Sequence, residues 1–232
     1  MKRIAIIPSG GKGKRVGNTT PKQYINVCGK EVIAYTLETF NSSPLIDEII
    51  IPAEKKYFNL LKNIKTKYSL HKITKIIEGG NERQDSVFNA LSSINTSASE
   101  DNLQIIIHDA ARPLLSKEIL ARAIFESETS DNVAVALKSK DTLCYGFNNK
   151  IDSYVDRTNL FQIQTPQIFR YKTLMKSFDY AKKTNFNATD DTSIVKHFGK
   201  LVHIVEGSTL NFKITDKNDL ELFKFIIENQ NK

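Results

Sequence analysis

The sequence is poor in cysteine and contains no long apolar run. Cys28 and Cys144 lie far apart and match no metal-ligand spacing, which favours a reducing compartment over a disulfide framework. No apolar run approaches the roughly 18 residues that a membrane-spanning helix needs. Only five residues separate Arg3 from Ser9, too few for the apolar region of a signal peptide. We therefore expect a cytoplasmic protein without a membrane partner.

Charge and composition leave several classes of partner open. The 232 residues include 33 lysines and arginines against 26 aspartates and glutamates, which gives a formal charge of +7. The apolar share of 40% and the charged share of 25% are typical of a folded domain. A positive charge of this size suits nucleic acid, anionic lipid or phosphorylated substrates. Because the basic residues are scattered, apart from the interval 55–75, the simplest interpretation is a solvated basic surface.

Short apolar runs alternate with segments of helical period. The runs are rich in β-branched residues, which is typical of strands buried on both faces of a parallel sheet. They lie at 4–7, 49–51, 73–77, 105–107, 133–137 and 201–205. Apolar residues at helical spacing are Ile33, Leu37 and Phe40, then Val87, Leu91 and Ile94, then Leu220, Phe223 and Ile227, and the predicted helix N-caps are Ser116 and Asp216. The alternation predicts an α/β fold, a Rossmann-like three-layer sandwich around a mostly parallel sheet.

One segment, 139–157, breaks this alternation. It is polar, and Asn148-Asn149 near its centre predicts a hairpin with an asparagine turn. Such a hairpin is either a simple surface excursion or an arm that contacts a second subunit. Because no repeat, low-complexity tract or linker is present, we expect residues 1–232 to form a single domain with 139–157 as a projecting arm.

Residues suited to chemistry follow three of the apolar runs. In an open parallel sheet, ligands bind beyond the carboxyl ends of the strands. One glycine-rich loop follows Ile7, a second follows Ile77, and HDAARP follows Ile107. The glycines of the first loop let backbone N–H groups approach phosphate oxygens. The basic residues in and just after this loop are Lys12, Lys14, Arg15 and Lys22. The loop lacks the Gly-Lys-Ser/Thr ending of a P-loop, and by itself it also fits a plain β-to-α connection.

Asp109 leaves the core at the end of a predicted strand. A carboxylate there suits Mg²⁺, which takes one or two protein carboxylates and leaves its other positions to water and substrate phosphates. The alternatives are an ion pair with Arg112 or a cap on a following helix. The neighbouring His108 is expected to pack or to form hydrogen bonds rather than to react.

Several short strings together resemble one family, the 2-C-methyl-D-erythritol 4-phosphate cytidylyltransferases of the non-mevalonate isoprenoid pathway. The strings follow the family's order over almost the whole chain. They are GKGKR at 11–15, PKQY at 21–24, GGNERQDSV at 79–87, HDAARP at 108–113, VDR at 155–157, QTPQ at 164–167, TDD at 189–191, and Gly207 with NFKIT at 211–215.

The resemblance implies transfer of a cytidylyl group. The phosphate of methylerythritol phosphate would attack the α-phosphorus of CTP, and pyrophosphate would leave. This reaction requires alignment and charge neutralisation rather than a protein nucleophile. The family pattern assigns Arg15 and Lys22 to the five-coordinate α-phosphorus and the leaving pyrophosphate, and it places Lys213 at the reacting phosphate.

The resemblance also implies a set of binding residues. For the nucleotide these are Ser9, Gly10, Gly11, Gly13, Gly80, Asn81, Ser86 and Ala110. For the acceptor phosphate they are Asp109, Arg112, Thr189 and Lys213 of one subunit, with Thr142 and Arg157 from the arm of its partner. Asp109 is the implied Mg²⁺ ligand, and the arm implies a homodimer.

Departures from the family pattern leave rival functions open. Ser9-Gly10 stands where two alanines are usual, and Asn81 replaces a residue that is often acidic. A glycine pair at this point is also common in the related ribitol 5-phosphate cytidylyltransferases, whereas the alanines of HDAARP and the string QDSV favour the methylerythritol enzyme. A third possibility is a module that binds CTP or nucleic acid without turnover. We expect no nucleic-acid partner, because a pure binder does not need these cations together with Asp109.

Overall fold

A computed structural model describes residues 1–11, 20–95 and 100–230. The strands are β1 (Lys2–Ile6), β2 (Asn26–Val27), β3 (Lys30–Glu31), β4 (Glu48–Ala53), β5 (Ile73–Glu78), β6 (Leu103–Ile107), β7 (Asn132–Lys138), β8 (Cys144–Phe147), β9 (Lys150–Tyr154), β10 (Phe161–Arg170) and β11 (His203–Glu206). The helices are α1 (Val32–Ser42), α2 (Phe58–Lys67), α3 (Arg83–Ser92), α4 (Lys117–Thr129), α5 (Tyr171–Lys183), α6 (Asp191–His197) and α7 (Lys217–Gln230). Across these described ranges, no helix is both long enough and apolar enough to span a membrane.

A seven-stranded sheet forms the centre, in the order β11-β7-β10-β6-β1-β4-β5. Neighbouring strands pair in parallel, except that β10 runs antiparallel to both β6 and β7. Each predicted apolar run contributes one of the parallel strands. The predicted fold class is therefore confirmed.

Strand β10 is absent from the sequence prediction. It contains the polar string at 164–167 and a cis peptide between Thr165 and Pro166. Its register against β7 shifts between Ile163 and Gln167. A buried strand is predicted from a continuous run of apolar residues, so a polar and irregular strand is not predicted from the sequence.

Helices cover both faces of the sheet. Along β4, Ile49 and Ile51 pack into a cluster with α1, α2 and α4, whereas Ile50 packs into a second cluster with α3, α5 and α6. This alternation follows from the two-residue period of a strand. A third cluster joins Phe223 and Ile227 of α7 to the start of α1. The result is the three-layer arrangement that the sequence predicts.

The outermost strand β11 is less buried than predicted. The run 201–205 was expected to be buried on both faces, but the strand begins at His203 and Leu201 is 70% exposed. Within β11, Val205 packs with α4 residues while Ile204 is 47% exposed. The expectation is wrong here because α4 packs against one face of β11, while the side chain of Ile204 on the other face is exposed.

Local hydrogen bonds explain where two helices begin. Ser116 Oγ accepts the Ile119 N–H at 3.2 Å at the start of α4. Asp216 Oδ1 accepts the Asp219 N–H at 3.0 Å at the start of α7. Both residues are therefore the N-caps that the sequence predicts.

The segment 139–157, the arm, contains the hairpin β8–β9. Asn148 and Asn149 occupy its turn at φ values of 50° and 58°, a conformation that asparagine tolerates better than most residues. The large apolar side chains of the arm are exposed, including Phe147 at 75% and Tyr154 at 68%. The hairpin agrees with the sequence prediction, and its role in dimerisation stays a prediction.

Candidate active site

Three loops meet at the carboxyl edge of the sheet, where the sequence predicts ligands to bind. The Ser9 N–H donates to Pro52 O, and the Gly79 N–H donates to Ala53 O, each at 2.9 Å, so both glycine loops are tied to the end of β4. The loops enclose a first cavity of about 420 Å³. Its lining residues are Pro8, Gly10, Gly11, Lys22, Gln23, Gly80, Asn81, Glu82, Arg83, Ser86, Asp109, Ala110, Ala111 and Lys213.

A second cavity of about 310 Å³ lies beside the first, towards β10 and α6. Its lining residues are Arg83, Asp109, Arg112, Ile163, Gln164, Thr165, Gln167, Thr189, Asp190 and Lys213. Arg83, Asp109 and Lys213 therefore line both cavities and form their common wall. Two ligands in these cavities would meet at this wall.

Asp109 stands among three cations. Its Oδ1 lies 3.3 Å from Arg83 Nε, and its Oδ2 lies 3.0 Å from Lys213 Nζ and 3.5 Å from Arg112 Nε. Burial by itself would raise the pKa of this carboxyl, but the charges of Arg83, Lys213 and Arg112 outweigh burial and hold the pKa well below its usual range. Asp109 is therefore ionised at neutral pH.

Hydrogen bonds to neighbouring loops hold Arg112 and the segment of Lys213 in place. Arg112 Nη1 donates to Asn211 O at 2.7 Å, and the Ile214 N–H donates to Ala111 O at 2.9 Å. These bonds join the segment that carries Lys213 to the loop that carries Asp109. The site is thus supported by contacts between loops that are far apart in the sequence.

His108 supports Asp109 and stays neutral. Burial lowers its pKa to about 4. Its Nε2 lies 3.1 Å from the Arg112 carbonyl, which can only accept, so Nε2 carries the proton. Its Nδ1 then accepts from Thr165 Oγ1 at 2.9 Å, and that hydroxyl accepts the Asp109 N–H at 3.1 Å. The neutral imidazole fixes the strand end, with its one N–H and its one acceptor nitrogen both used within the fold.

The first glycine loop is held by the PKQY string. Gln23 Nε2 donates to Ser9 O and to Gly11 O. The Tyr24 hydroxyl lies 3.2 Å from Ser9 O and 3.0 Å from Ser9 Oγ. Ser9 is therefore occupied within the fold and does not line the first cavity, whereas Gly10 and Gly11 do.

The second glycine loop depends on Ser86. Ser86 Oγ accepts the Gly80 N–H at 3.0 Å and donates to Glu82 O at 3.0 Å. A Cβ at Gly80 would lie 2.1 Å from Asp85 Cβ, so no larger residue fits without movement of α3. The hydroxyl that the family pattern assigns to the nucleotide thus also shapes the loop.

Most of the predicted site residues gather at the two cavities. Of the predicted nucleotide-binding residues, Gly10, Gly11, Gly80, Asn81, Ser86 and Ala110 line the first cavity, and of the predicted acceptor-binding residues, Asp109, Arg112, Thr189 and Lys213 line the second. Lys22 lines the first cavity as well. The predicted residues Gly13 and Arg15, with Lys12 and Lys14, lie outside the described residues.

The two arm residues lie elsewhere. Thr142 and Arg157 are exposed and line neither cavity of their own chain. Arg157 Nη1 donates to Lys140 O, within the arm. The structure of one chain thus does not bring them to its own site, and their role in a partner's site stays a prediction.

The sequence prediction omits three residues at the site. Arg83 lies in the common wall, Thr165 links His108 to Asp109, and Gln23 holds the first glycine loop. Arg83 directly follows a strand-end glycine loop, so the rule that found Asp109 could have found it. Thr165 lies on a strand that apolar periodicity does not predict, and its sequence signal is the string QTPQ at 164–167.

A Mg²⁺ ion fits this site if the substrate supplies most of its ligands. Within the described residues, no group of three or more His, Cys, Asp or Glu side chains could hold a metal ion. Asp109 offers one ionised carboxylate that already contacts three cations. Since Mg²⁺ commonly binds through one carboxylate with water and phosphate oxygens, the site suits a metal that arrives with a polyphosphate.

Comparisons with known proteins agree with this geometry. A model of the 2-C-methyl-D-erythritol 4-phosphate cytidylyltransferase family matches residues 3–229. Proteins of that name from Clostridium botulinum (strain Langeland) and Clostridium acetobutylicum are 36% identical over 230 residues and 39% identical over 221 residues, covering 98% and 93% of this chain and the same shares of theirs. The crystal structure of the Francisella tularensis enzyme of that name has a TM-score of 0.82 at 30% identity and covers 97% of this chain and 99% of its own. The resemblance inferred from the sequence is confirmed: this chain is a nucleotidyltransferase that belongs to the 2-C-methyl-D-erythritol 4-phosphate cytidylyltransferase family.

Proposed function

We propose that the chain joins CTP to 2-C-methyl-D-erythritol 4-phosphate and releases pyrophosphate, a step in isoprenoid precursor synthesis. The observation that carries this proposal is the common wall of the two cavities, which holds Arg83, Asp109 and Lys213. A nucleotide in the first cavity and a phosphorylated acceptor in the second would bring their phosphates together there. Proximity of this kind converts a bimolecular reaction into one within a single complex.

The residues of the wall would act by charge and position. An acceptor phosphate oxygen attacks the α-phosphorus of CTP, and the bond to the leaving pyrophosphate breaks. Lys22 and Lys213 stabilise the negative charge that develops on the phosphoryl oxygens, together with the predicted Arg15. Arg112 and Thr189 bind the acceptor phosphate, because both line the second cavity.

Asp109 is the proposed protein ligand of Mg²⁺. When bound, the ion neutralises phosphate charge and orients the triphosphate. Asp109 also holds Lys213 by its ion pair, so its carboxylate contributes to the site whether or not a metal is present.

We propose further that the enzyme is a homodimer, one domain per chain, in which the arm of each subunit completes the site of the other. The support is the exposed apolar surface of the arm, where Tyr145, Phe147, Ile151 and Tyr154 are all at least 60% exposed. Thr142 and Arg157 lie on this arm and would reach the partner's acceptor phosphate. A cytoplasmic location, predicted from the sparse cysteines, belongs to the same proposal.

The direct test is pyrophosphate release from CTP and Mg²⁺ with two acceptors in parallel. We expect kcat/KM to be at least about tenfold higher with methylerythritol 4-phosphate than with ribitol 5-phosphate, since a site built to bind one set of hydroxyl groups discriminates against another. The reverse preference would identify a ribitol phosphate enzyme. Tight CTP binding without turnover on either acceptor would identify a binding module, and strong, salt-sensitive binding of duplex DNA would point the same way.

Lys22→Ala tests the proposed chemistry within the site. We expect a folded dimer whose kcat falls by about 10²-fold or more, because a cation aimed at developing charge is lost. Circular dichroism and sedimentation would report the fold and the dimer. Turnover close to that of the parent would rule out the proposed role of this lysine.

A further inference from the structure

Arg83 connects the common wall to a second, deeper carboxylate. It is the first residue of α3 and lines both cavities. Its Nε lies 3.3 Å from Asp109 Oδ1, and its Nη2 lies 2.7 Å from Asp191 Oδ2. One planar guanidinium thus contacts the carboxylate at the site and another behind it. The charges of Asp191 and Asp109 raise the pKa of Arg83 against the effect of its burial, so the guanidinium stays charged.

Asp191 is a carboxylate whose presence stability alone does not explain. Its side chain is fully buried, and among the described residues Arg83 is its one ion-pair partner. Burial raises the pKa of Asp191, and the Arg83 guanidinium opposes that shift. Because a buried carboxylate with so few partners weakens folding, its contact with Arg83 points to a role in the site.

Hydrogen bonds to β10 hold the start of α6, and therefore Asp191, in place. Asp190 Oδ1 accepts the Ser193 N–H at 3.0 Å, and Asp190 Oδ2 accepts from Gln167 Nε2 at 2.8 Å. Gln167 Oε1 accepts the Thr192 N–H at 3.1 Å. Asp191 lies between these anchored residues, so its backbone has little freedom to move away from Arg83.

A second set of bonds ties α3 to the segment before α6. Gln84, which follows Arg83 in the chain, donates through Nε2 to Phe186 O at 3.3 Å. Its Oε1 accepts the Ala188 N–H at 3.0 Å. Consecutive residues of α3 therefore reach the same part of the chain, one by hydrogen bonds and one by an ion pair. The first turn of α3 joins the loop of the first cavity to the loop of the second.

We propose that Asp191 and Arg83 are positioning residues for the reaction: Asp191 fixes the Arg83 guanidinium, and Arg83 fixes the Asp109 carboxylate between nucleotide and acceptor. The inference rests on the proposed function, since it assumes a nucleotide in the first cavity and an acceptor in the second. Neither residue exchanges a proton or forms a bond with substrate. Their effect passes through Asp109 and its contact with Lys213.

Asp191→Asn separates positioning from simple charge. The variant keeps the side-chain volume and removes one negative charge from a cluster of three cations and two carboxylates. If only charge matters, the more positive cluster should bind phosphates more tightly and leave kcat unchanged. If Asp191 positions Arg83, we expect kcat to fall at least about tenfold, because misplacement of a reacting group by about 1 Å can lower a rate about 10²-fold. The KM for acceptor and the Kd for CTP, measured by calorimetry without acceptor, should change by less than about threefold.

The double variant tests whether Asp191 acts through Arg83. Arg83→Gln should lower kcat at least as much as Asp191→Asn. Adding Asp191→Asn to Arg83→Gln should then cause little further loss, because the connection is already broken. Arg170→Gln is the matched control, since it removes an arginine that pairs with Asp131 at 3.1 Å at the opposite edge of the sheet. The control should keep kcat within about twofold of the parent.

Two results would overturn the inference. One is a kcat for Asp191→Asn within about twofold of the parent, and the other is a multiplicative loss in the double variant. If Asp191→Asn does not fold, Arg83→Lys provides the test, because lysine keeps the charge but cannot contact both carboxylates. A kcat like the parent's would overturn the inference, and a tenfold loss would support it. Each kcat is expressed as a ratio to the parent's, with whichever acceptor supports turnover. A wrong acceptor assignment would leave these ratios unchanged, whereas a wrong positioning role would bring them close to one.

Discussion

The charge cluster around Asp109 and the arm at 139–157 depart from the usual distribution of polarity in opposite directions. The cluster buries charge, with Asp191 fully buried and Asp109 8% exposed, whereas the arm exposes apolar rings such as Phe147. Buried charges weaken folding unless they are well paired, and exposed apolar patches mark surfaces that bind a partner. The two regions therefore each carry a feature that costs stability, one at the proposed reaction site and the other at the proposed subunit interface.

Removing one cation from the cluster should produce the largest effect. We expect Lys213→Met to lower kcat by about 10²-fold to 10³-fold, because it removes the charge proposed to act at the reacting phosphate and leaves Asp109 with one cation fewer. Methionine keeps the apolar stem, so the melting temperature should change little. Steady-state kinetics with a thermal melt checks both. Lys224→Met on the exposed side of α7 is the control, and an equal loss in that variant would contradict the special role of the cluster.

A charged residue introduced on the arm should separate the subunits of the proposed dimer, with a smaller effect than that of Lys213→Met. We expect Phe147→Asp to convert the proposed dimer to a monomer, since the ring is 75% exposed in one chain and would be buried in the proposed interface. Activity should fall at least about tenfold with it, because the partner's Arg157 and Thr142 are lost. Sedimentation velocity measures the change. Phe225→Asp on α7, at a ring that is 64% exposed, should stay dimeric, and a monomer in both variants would argue against an arm-specific interface.

The smallest effect concerns the support of the first glycine loop. Burial raises the pKa of Tyr24 to about 12, so folding favours its neutral form. Stability from this group is complete below pH ~10 and decreases as the pH rises from ~10 towards ~12, by about 2 to 3 kcal/mol in total. Tyr24→Phe should therefore reduce the slope of unfolding free energy against pH in this range. Urea unfolding at several alkaline pH values tests this, with Tyr180→Phe as an exposed control; equal slopes for Tyr24→Phe and the parent would contradict it.

The parts of the fold that follow local rules could be predicted from the sequence. Isoleucine runs such as 105–107 identify the parallel strands because full burial on both faces demands continuous apolar residues. Residues directly after such strands, Asp109 among them, identify the edge of the site. Strand β10 could not be predicted, because residues 164–167 include buried polar side chains held by hydrogen bonds in place of a continuous apolar run.

Sequence patterns do not predict the side-chain contacts that lie behind the site. The contact between Arg83 and Asp191 depends on how α3 packs beside α6, and neither residue carries a local signal of the other. Ser9 illustrates the opposite case, since its motif predicts a nucleotide contact while its carbonyl is used by Gln23 and Tyr24. Motifs thus identify which residues gather, and packing decides what each one touches.

The reversed direction of β10 has a consequence for how the arm arises. Because β10 runs antiparallel to β7, the chain leaves β7 and returns along the same edge of the sheet, so the arm is an enlarged β7–β10 turn. That edge is the one that carries the cavities, since β7 and β6 share the same direction. An insertion or deletion at Asn148–Asn149 would therefore alter the reach of the arm in the proposed dimer without shifting the register of the seven-stranded sheet. If the proposed dimer forms, the length of this one loop sets how far each arm reaches towards the site of the other subunit.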